Sequence, residues 1–303
     1  GNDIGGSLRF PASANGAVTV KPGLGRVPAW NPSQKAERGL LAQSMSVQGL
    51  IARNATDLHA SMPSLIRPDA RDPFHAPLPW RGDALKTPVR VAYTRDSFEF
   101  ELHPDVSTAL DKAASALSNA GYAVEEVEPP LARETGDVGY RALMGEVKAL
   151  MDDDVRHYAS DTLQNIFDEY YRQFPPYEGT RLIEIMAQRS YYARQWSEFL
   201  YDYPLVLTPF LLKPFFKPGR DAEGTEGVLD ALGGSHWSFI MNFTGLPAGN
   251  LPTHVADLLD GPQPIGIQIA GRRWREDLIV DAMQAIEAEI APVCTRLWEH
   301  MNG

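Results

Sequence analysis

Val89-Arg90-Val91-Ala92-Tyr93, the helix opener Pro104-Asp105 and the stretch Ala123-Val124-Glu125-Glu126-Val127 spell one strand–helix–strand unit, and it decides the fold class. Valine and tyrosine suit a pleated, half-buried surface, so residues 89–93 read as a strand. Proline at a first helical position costs no hydrogen bond. Val106, Leu110, Ala113, Ala114 and Leu117 then fall on one stripe of a helix. Gly121 stops that helix, and residues 123–127 read as the next strand. If the two strands share a sheet and lie parallel, their connection is right-handed. The chain is therefore expected to be α/β.

Helical spacing returns between Tyr140 and Tyr158, with Leu143, Met144, Val147, Leu150, Met151 and Val155 as the apolar positions, and again from Leu182 to Leu200. These helices are expected to cover a sheet. Leu205-Val206-Leu207, caught between Pro204 and Pro209, reads as a short buried strand. Ile265, Ile267 and Ile269 put three branched side chains on one face of another. The last helix follows from Asp277, with Leu278, Ala282, Ile286 and Ile290 inward. Pro68 to Pro88, rich in proline and charge, reads as a surface crossing. No repeat of fixed period points to a solenoid or propeller.

A chain of 303 residues is long enough to bury roughly three quarters of the surface its unfolded form exposes. Its net charge of −11 disfavours nucleic acid and anionic membrane as partners, since both repel an acidic surface. Cys294 is the only cysteine, which excludes an intrachain disulfide and a cysteine-rich metal site and fits a cytoplasmic location. No apolar run reaches the roughly 20 residues that span a bilayer. The nearest approach, Leu205 to Phe216, is interrupted by Pro209, Lys213 and Pro214. The seven histidines form no H-x-x-x-H pair, and Asp152-Asp153-Asp154 lacks a glycine-spaced calcium loop, so no metal is expected.

Chemistry concentrates in Gly1-Asn2-Asp3-Ile4-Gly5-Gly6-Ser7-Leu8-Arg9-Phe10-Pro11-Ala12. Without Cβ atoms, Gly5 and Gly6 can aim successive N–H groups into one small space, as an oxyanion requires, and Ser7 follows at once. Asp3 and Arg9 flank the turn with opposite charge and are expected to brace it, since a buried loop has many N–H groups to satisfy. Gly233-Gly234-Ser235-His236 repeats the glycine–serine theme with a histidine beside it. Adjacent residues seldom present a nucleophile to its base, so this reads as a loop near a pocket.

The residues around Ser7 resemble the amidase signature family, serine hydrolases that cleave carbon–nitrogen amide bonds. The likeness continues through Gly16 and Val20-Lys21-Pro22-Gly23-Leu24-Gly25-Arg26-Val27-Pro28. It includes Gln43-Ser44-Met45-Ser46-Val47-Gln48-Gly49-Leu50-Ile51-Ala52-Arg53 with Asp57, where Leu50 stands in place of the usual proline. Thr244-Gly245-Leu246-Pro247-Ala248, Leu251-Pro252, Pro264-Ile265-Gly266-Ile267-Gln268-Ile269-Ala270-Gly271 and Glu276-Asp277 complete the pattern. Asn2, where serine is more frequent, and Phe10, where a smaller aliphatic is usual, are departures.

The resemblance implies a mixed β-sheet between helical layers and a single domain over residues 1–303. It also implies a mechanism with a nucleophilic serine, a second serine in a cis peptide bond and a neutral lysine. Ser7 matches the nucleophile, and the backbone N–H groups of Ile4, Gly5, Gly6 and Ser7 would face the oxyanion. The other two catalytic groups lie upstream in the family, whereas Gly1 stands six residues before Ser7, so the chain is expected to be a fragment that is weak or inactive alone. Lys21 lies in a Lys-Pro loop that the resemblance assigns to architecture.

The expected activity is hydrolysis of a small-molecule carboxylic amide through an acyl-enzyme on Ser7, with no cofactor, since hydroxyl, amine and backbone donors suffice. The number of copies is left open. Second stands the A-type subunit of a glutamine amidotransferase that works on misacylated tRNA, and third a non-catalytic amidase-like scaffold. The aromatics Tyr170, Tyr171, Phe174, Tyr177, Tyr191, Tyr192 and Trp196 serve mainly as core; related amidases build substrate pockets in this region, so an aromatic or aliphatic acyl group is the expected substrate type.

Overall fold

The computed structural model describes residues 1–33 and 36–302. The chain opens with β1 (Asn2–Asp3), α1 (Arg9–Ala14), β2 (Val18–Lys21), α2 (Leu40–Met45), β3 (Val47–Gln48), β4 (Ile51–Ala52) and α3 (Ala55–Leu65). It continues with β5 (Arg90–Tyr93), α4 (Pro104–Asn119), β6 (Ala123–Glu126), α5 (Ala132–Tyr158), α6 (Asp161–Gln173) and α7 (Gly179–Asp202). β7 (Leu205–Pro209), α8 (Gly224–Leu232), α9 (His236–Thr244), β8 (Ala248–Leu258), β9 (Gly261–Gly271), α10 (Glu276–Glu289) and α11 (Val293–Asn302) complete it.

The strand–helix–strand unit is β5–α4–β6. Its strands pair in parallel, with Val91 opposite Val124, and Pro104 and Asp105 occupy the first turn of α4. His103 caps that helix, its Nδ1 accepting the Asp105 N–H at 3.2 Å. Gly121, at φ +90°, carries the chain out of it.

Among the described residues, seven strands form one sheet in the order β4-β2-β8-β9-β7-β5-β6. β5 lies parallel to β6 and β7, whereas β7–β9, β9–β8, β8–β2 and β2–β4 are antiparallel, so the sheet is mixed. Alternation along the strands divides the core between its two faces. Val91, Leu205, Leu207, Ile265, Ile267 and Ile269 pack with α3, α4 and α10. Ala92, Val206, Ala248 and Ala270 meet Trp196 and Leu200 of α7 and Trp237, Ile240 and Met241 of α9. The sheet thus lies between two helical layers. β1 and β3 make a separate two-stranded pair.

Three expectations change. The α10 stripe is Ile279, Ala282, Met283 and Ile286, with Leu278 and Ile290 only half-buried at its margin. A further helix, α11, follows the one expected to be last. On α5, Leu150 and Met151 are 63% and 52% exposed, while the end of the helix meets α6 through other residues, Arg156 reaching Asp168 at 2.6 Å. Among the described residues no helix is long and apolar enough to cross a membrane.

Candidate active site

Ser7 sits in the turn between β1 and α1, exposed, while the residues that shape the turn are buried. The chain reverses at Gly6, whose φ of +132° disfavours any side chain. A Cβ there would stand 2.3 Å from the Phe10 ring and 2.7 Å from Ser238 Oγ. The turn is therefore closed against α1 on one side and α9 on the other.

Asp3 organises the turn from within. Its Oδ1 accepts the Gly6 N–H at 2.7 Å and its Oδ2 the Leu8 N–H at 3.2 Å. The Arg9 guanidinium grips the same carboxylate in two places, Nε to Oδ2 and Nη2 to Oδ1, each at 3.1 Å. Neither side chain reaches solvent. Burial alone would raise the Asp3 carboxyl, but the charge and hydrogen bond of Arg9, with help from Lys21 and Asn242, outweigh it and hold the group below its usual value.

Of the four N–H groups expected to face the oxyanion, that of Gly6 donates to Asp3 Oδ1 at 2.7 Å. Among the described residues the N–H groups of Ile4, Gly5 and Ser7 meet no acceptor, and the Ser7 hydroxyl makes no hydrogen bond.

Lys21, on β2, is buried, and its amine donates to the Pro22 carbonyl at 3.0 Å. Burial, and then the nearby Arg9 charge, push its pKa down to about 7. The loop beyond it is pinned by Glu276, which accepts the Gly23 N–H at 2.8 Å and pairs with Arg26 at 3.0 Å, all out of solvent.

Sequence reasoning missed two participants and gave a third no role. Ser238 and Asn242 of α9 are fully buried; the Ser238 hydroxyl donates to the Gly5 carbonyl at 2.8 Å, and Asn242 contacts both Asp3 and Arg9. Gln268, quoted only as part of the family pattern, accepts from Arg9 at 2.7 Å. The available signal was two polar residues four apart inside the apolar run Trp237-Ser238-Phe239-Ile240-Met241-Asn242-Phe243, a spacing that puts both on one helix face.

Gly233-Gly234-Ser235-His236 forms no nucleophile–base pair. Ser235 Oγ donates to the Leu232 carbonyl, and His236 Nδ1 lies 2.9 Å from the Gly233 carbonyl. Of the aromatics, Phe174 and Tyr170 join Tyr140, whose ring centroid is 4.3 Å from that of Phe239. Phe239 in turn lies against Gly5, where a Cβ would be 2.7 Å from its Cζ. Trp196 belongs instead to the core under the sheet, and Tyr191 is 45% exposed.

A mixed sheet between helical layers, carrying a glycine–serine turn locked to a buried acid–base pair, defines the class. Residues 1–280 match the family described as Amidase, and the chain belongs to that family. An indoleacetamide hydrolase of Bradyrhizobium diazoefficiens is 35% identical over the whole chain, which corresponds to 57% of that relative. A glutamyl-tRNA(Gln) amidotransferase subunit from Lacticaseibacillus casei is 26% identical over 95% of the chain and 63% of its own length. The solved structure of 6-aminohexanoate cyclic dimer hydrolase is alike in fold, with a TM-score of 0.74 at 23% identity, covering 96% of this chain and 64% of that one. The chain spans less than two thirds of the length of each of these relatives.

Proposed function

We propose that this protein hydrolyses a carboxylic amide through an acyl-enzyme on Ser7. The observation that carries the reading is an exposed serine hydroxyl on a turn whose neighbouring N–H groups, those of Ile4, Gly5 and Ser7, are unspent while the rest of the turn is tied down. Attack of Ser7 Oγ on the amide carbonyl forms the C–O bond and places negative charge on the carbonyl oxygen beside those donors. Collapse breaks the C–N bond, the amine leaves protonated, and water releases the acid and restores the hydroxyl. By the family resemblance the base that takes the serine proton is a lysine acting through a second serine. The first substrate to try is an aryl acetamide, because one relative is an indoleacetamide hydrolase and the Phe239 ring, with Tyr140 packed against it, stands beside the turn.

The test is ammonia release from indole-3-acetamide by the full-length gene product, with mass analysis of the Ser7 peptide during turnover. Turnover lost in Ser7→Ala, with an acyl adduct on the wild-type peptide, is expected. Hydrolysis that persists in Ser7→Ala, or none of any amide by the wild-type product, overturns the reading.

A further inference from the structure

We propose that Asn242 is a positioning residue for the amide-cleaving turn, with Gln268 as its counterpart on β9. The inference deepens the reading of Ser7 as nucleophile and rests on it. A guanidinium carries five N–H bonds, and Arg9 directs all five to partners. Two go to Asp3, two from Nη1 reach the Ser238 carbonyl at 3.2 Å and Gln268 Oε1 at 2.7 Å, and the last, from Nη2, reaches Asn242 Oδ1 at 2.5 Å. The two amide oxygens therefore fix where the guanidinium stands, and the guanidinium fixes Asp3.

Asn242 also acts on Asp3 directly. Its Nδ2 donates to Asp3 Oδ1 at 2.9 Å and lies 3.2 Å from both the Asp3 and Met45 carbonyls. The Oδ1 it holds is the atom that accepts the Gly6 N–H. One amide thus orients both members of the buried pair, its oxygen toward the cation and its nitrogen toward the anion. Gln268 is set the same way, its Nε2 donating to the Trp237 carbonyl at 3.1 Å. Ser7 lies between Gly6 and Leu8, the two residues whose N–H groups Asp3 holds, so a shift of Asp3 moves the nucleophile.

Asn242→Asp tests this with almost no change of shape. The new carboxyl would face Asp3 and Arg9, with Lys21 of β2 adding positive charge to Asp3. Two carboxylates at hydrogen-bond distance resist joint ionisation, so the new group keeps a proton at low pH and can donate to Asp3 as the amide does; at higher pH it cannot. In the full-length protein, the kcat of N242D relative to wild type should fall roughly ten- to hundredfold as pH rises, with KM little changed. Over the same interval, hydrogen exchange at the Gly6 and Leu8 amides of the variant should accelerate while its far-UV circular dichroism stays constant. A structural role alone would not restore kcat at low pH. Equal kcat and unchanged exchange in a folded N242D overturn the proposal. Should that variant not fold, Gln268→Glu, which turns an oxygen toward the Trp237 carbonyl, is expected to speed the same amides and lower kcat with KM spared; no change in either refutes the inference. If wild type shows no turnover dependent on Ser7, the functional reading falls, and exchange in the variants still decides whether these amides set the turn.

Discussion

Asp3 and Arg9 form a doubly hydrogen-bonded ion pair with neither side chain exposed, and the same carboxylate holds two N–H groups of the serine turn. Local structure and stability are coupled here. Breaking a buried pair by neutralising one partner leaves an unpaired charge that costs about 3–5 kcal/mol. Arg9→Met and Asp3→Asn should each lower the unfolding free energy by about that amount, measured by urea denaturation. A loss below about 1 kcal/mol, the range of exposed pairs, would show that the pair is solvated.

Gly6→Ala should damage turnover more than binding. The added methyl meets the Phe10 ring at 2.3 Å in a left-handed region of the backbone, so the turn must open to accept it. Misplacing one oxyanion donor costs on the order of 3 kcal/mol in the transition state. The expected result is a fall in kcat of about a hundredfold with KM nearly unchanged. An equal rise in KM would place the damage in substrate binding instead.

Gly145 offers a case in which two local rules oppose each other. It lies inside α5, where alanine is favoured over glycine by about 1 kcal/mol. A Cβ at this position, however, would stand 2.1 Å from the Tyr177 carbonyl oxygen, a backbone atom that cannot rotate away. Close approach wins, and Gly145→Ala should destabilise by roughly 1–3 kcal/mol, read from denaturant midpoints. A stabilised variant would mean that the loop at Tyr177 yields easily.

Most of the architecture was legible because its punctuation is local. Pro104 and Gly121 bound α4, and alternating isoleucines mark β9. Errors arose where an outcome depends on what lies opposite. Leu278, Ala282, Ile286 and Ile290 recur every four residues, yet a helix turns in 3.6, so the stripe that meets the sheet drifts to Ile279 and Met283. Leu150 and Met151 keep helical spacing but lie on an exposed side of α5, while Arg156 and Asp152 meet α6. In the turn, the glycines, serine and flanking charges could be read directly. That the Gly6 N–H faces Asp3 could not, because composition does not say which donors a buried carboxylate claims. Asn242 was hidden for a similar reason, its partners lying more than 190 residues away.

Glu287 sets a pH dependence of stability independent of catalysis. Its carboxylate accepts the Ala55 N–H at 2.8 Å at the start of α3, and burial, aided by Asp57, raises its pKa from 4.5 to about 7. A carboxyl with a raised pKa binds its proton more tightly folded than unfolded. Between pH 4.5 and about 7 the folded state therefore holds more protons, and stability falls as pH rises through that window. The group is partly exposed, so solvent screening limits the cost to about 1–2 kcal/mol. Glu287→Gln keeps an acceptor for Ala55 and removes the titration. Its unfolding free energy should match wild type near pH 4 and exceed it by about 1 kcal/mol above pH 7. Parallel stability curves for the two proteins from pH 4 to 8 would show that folding does not shift the Glu287 pKa.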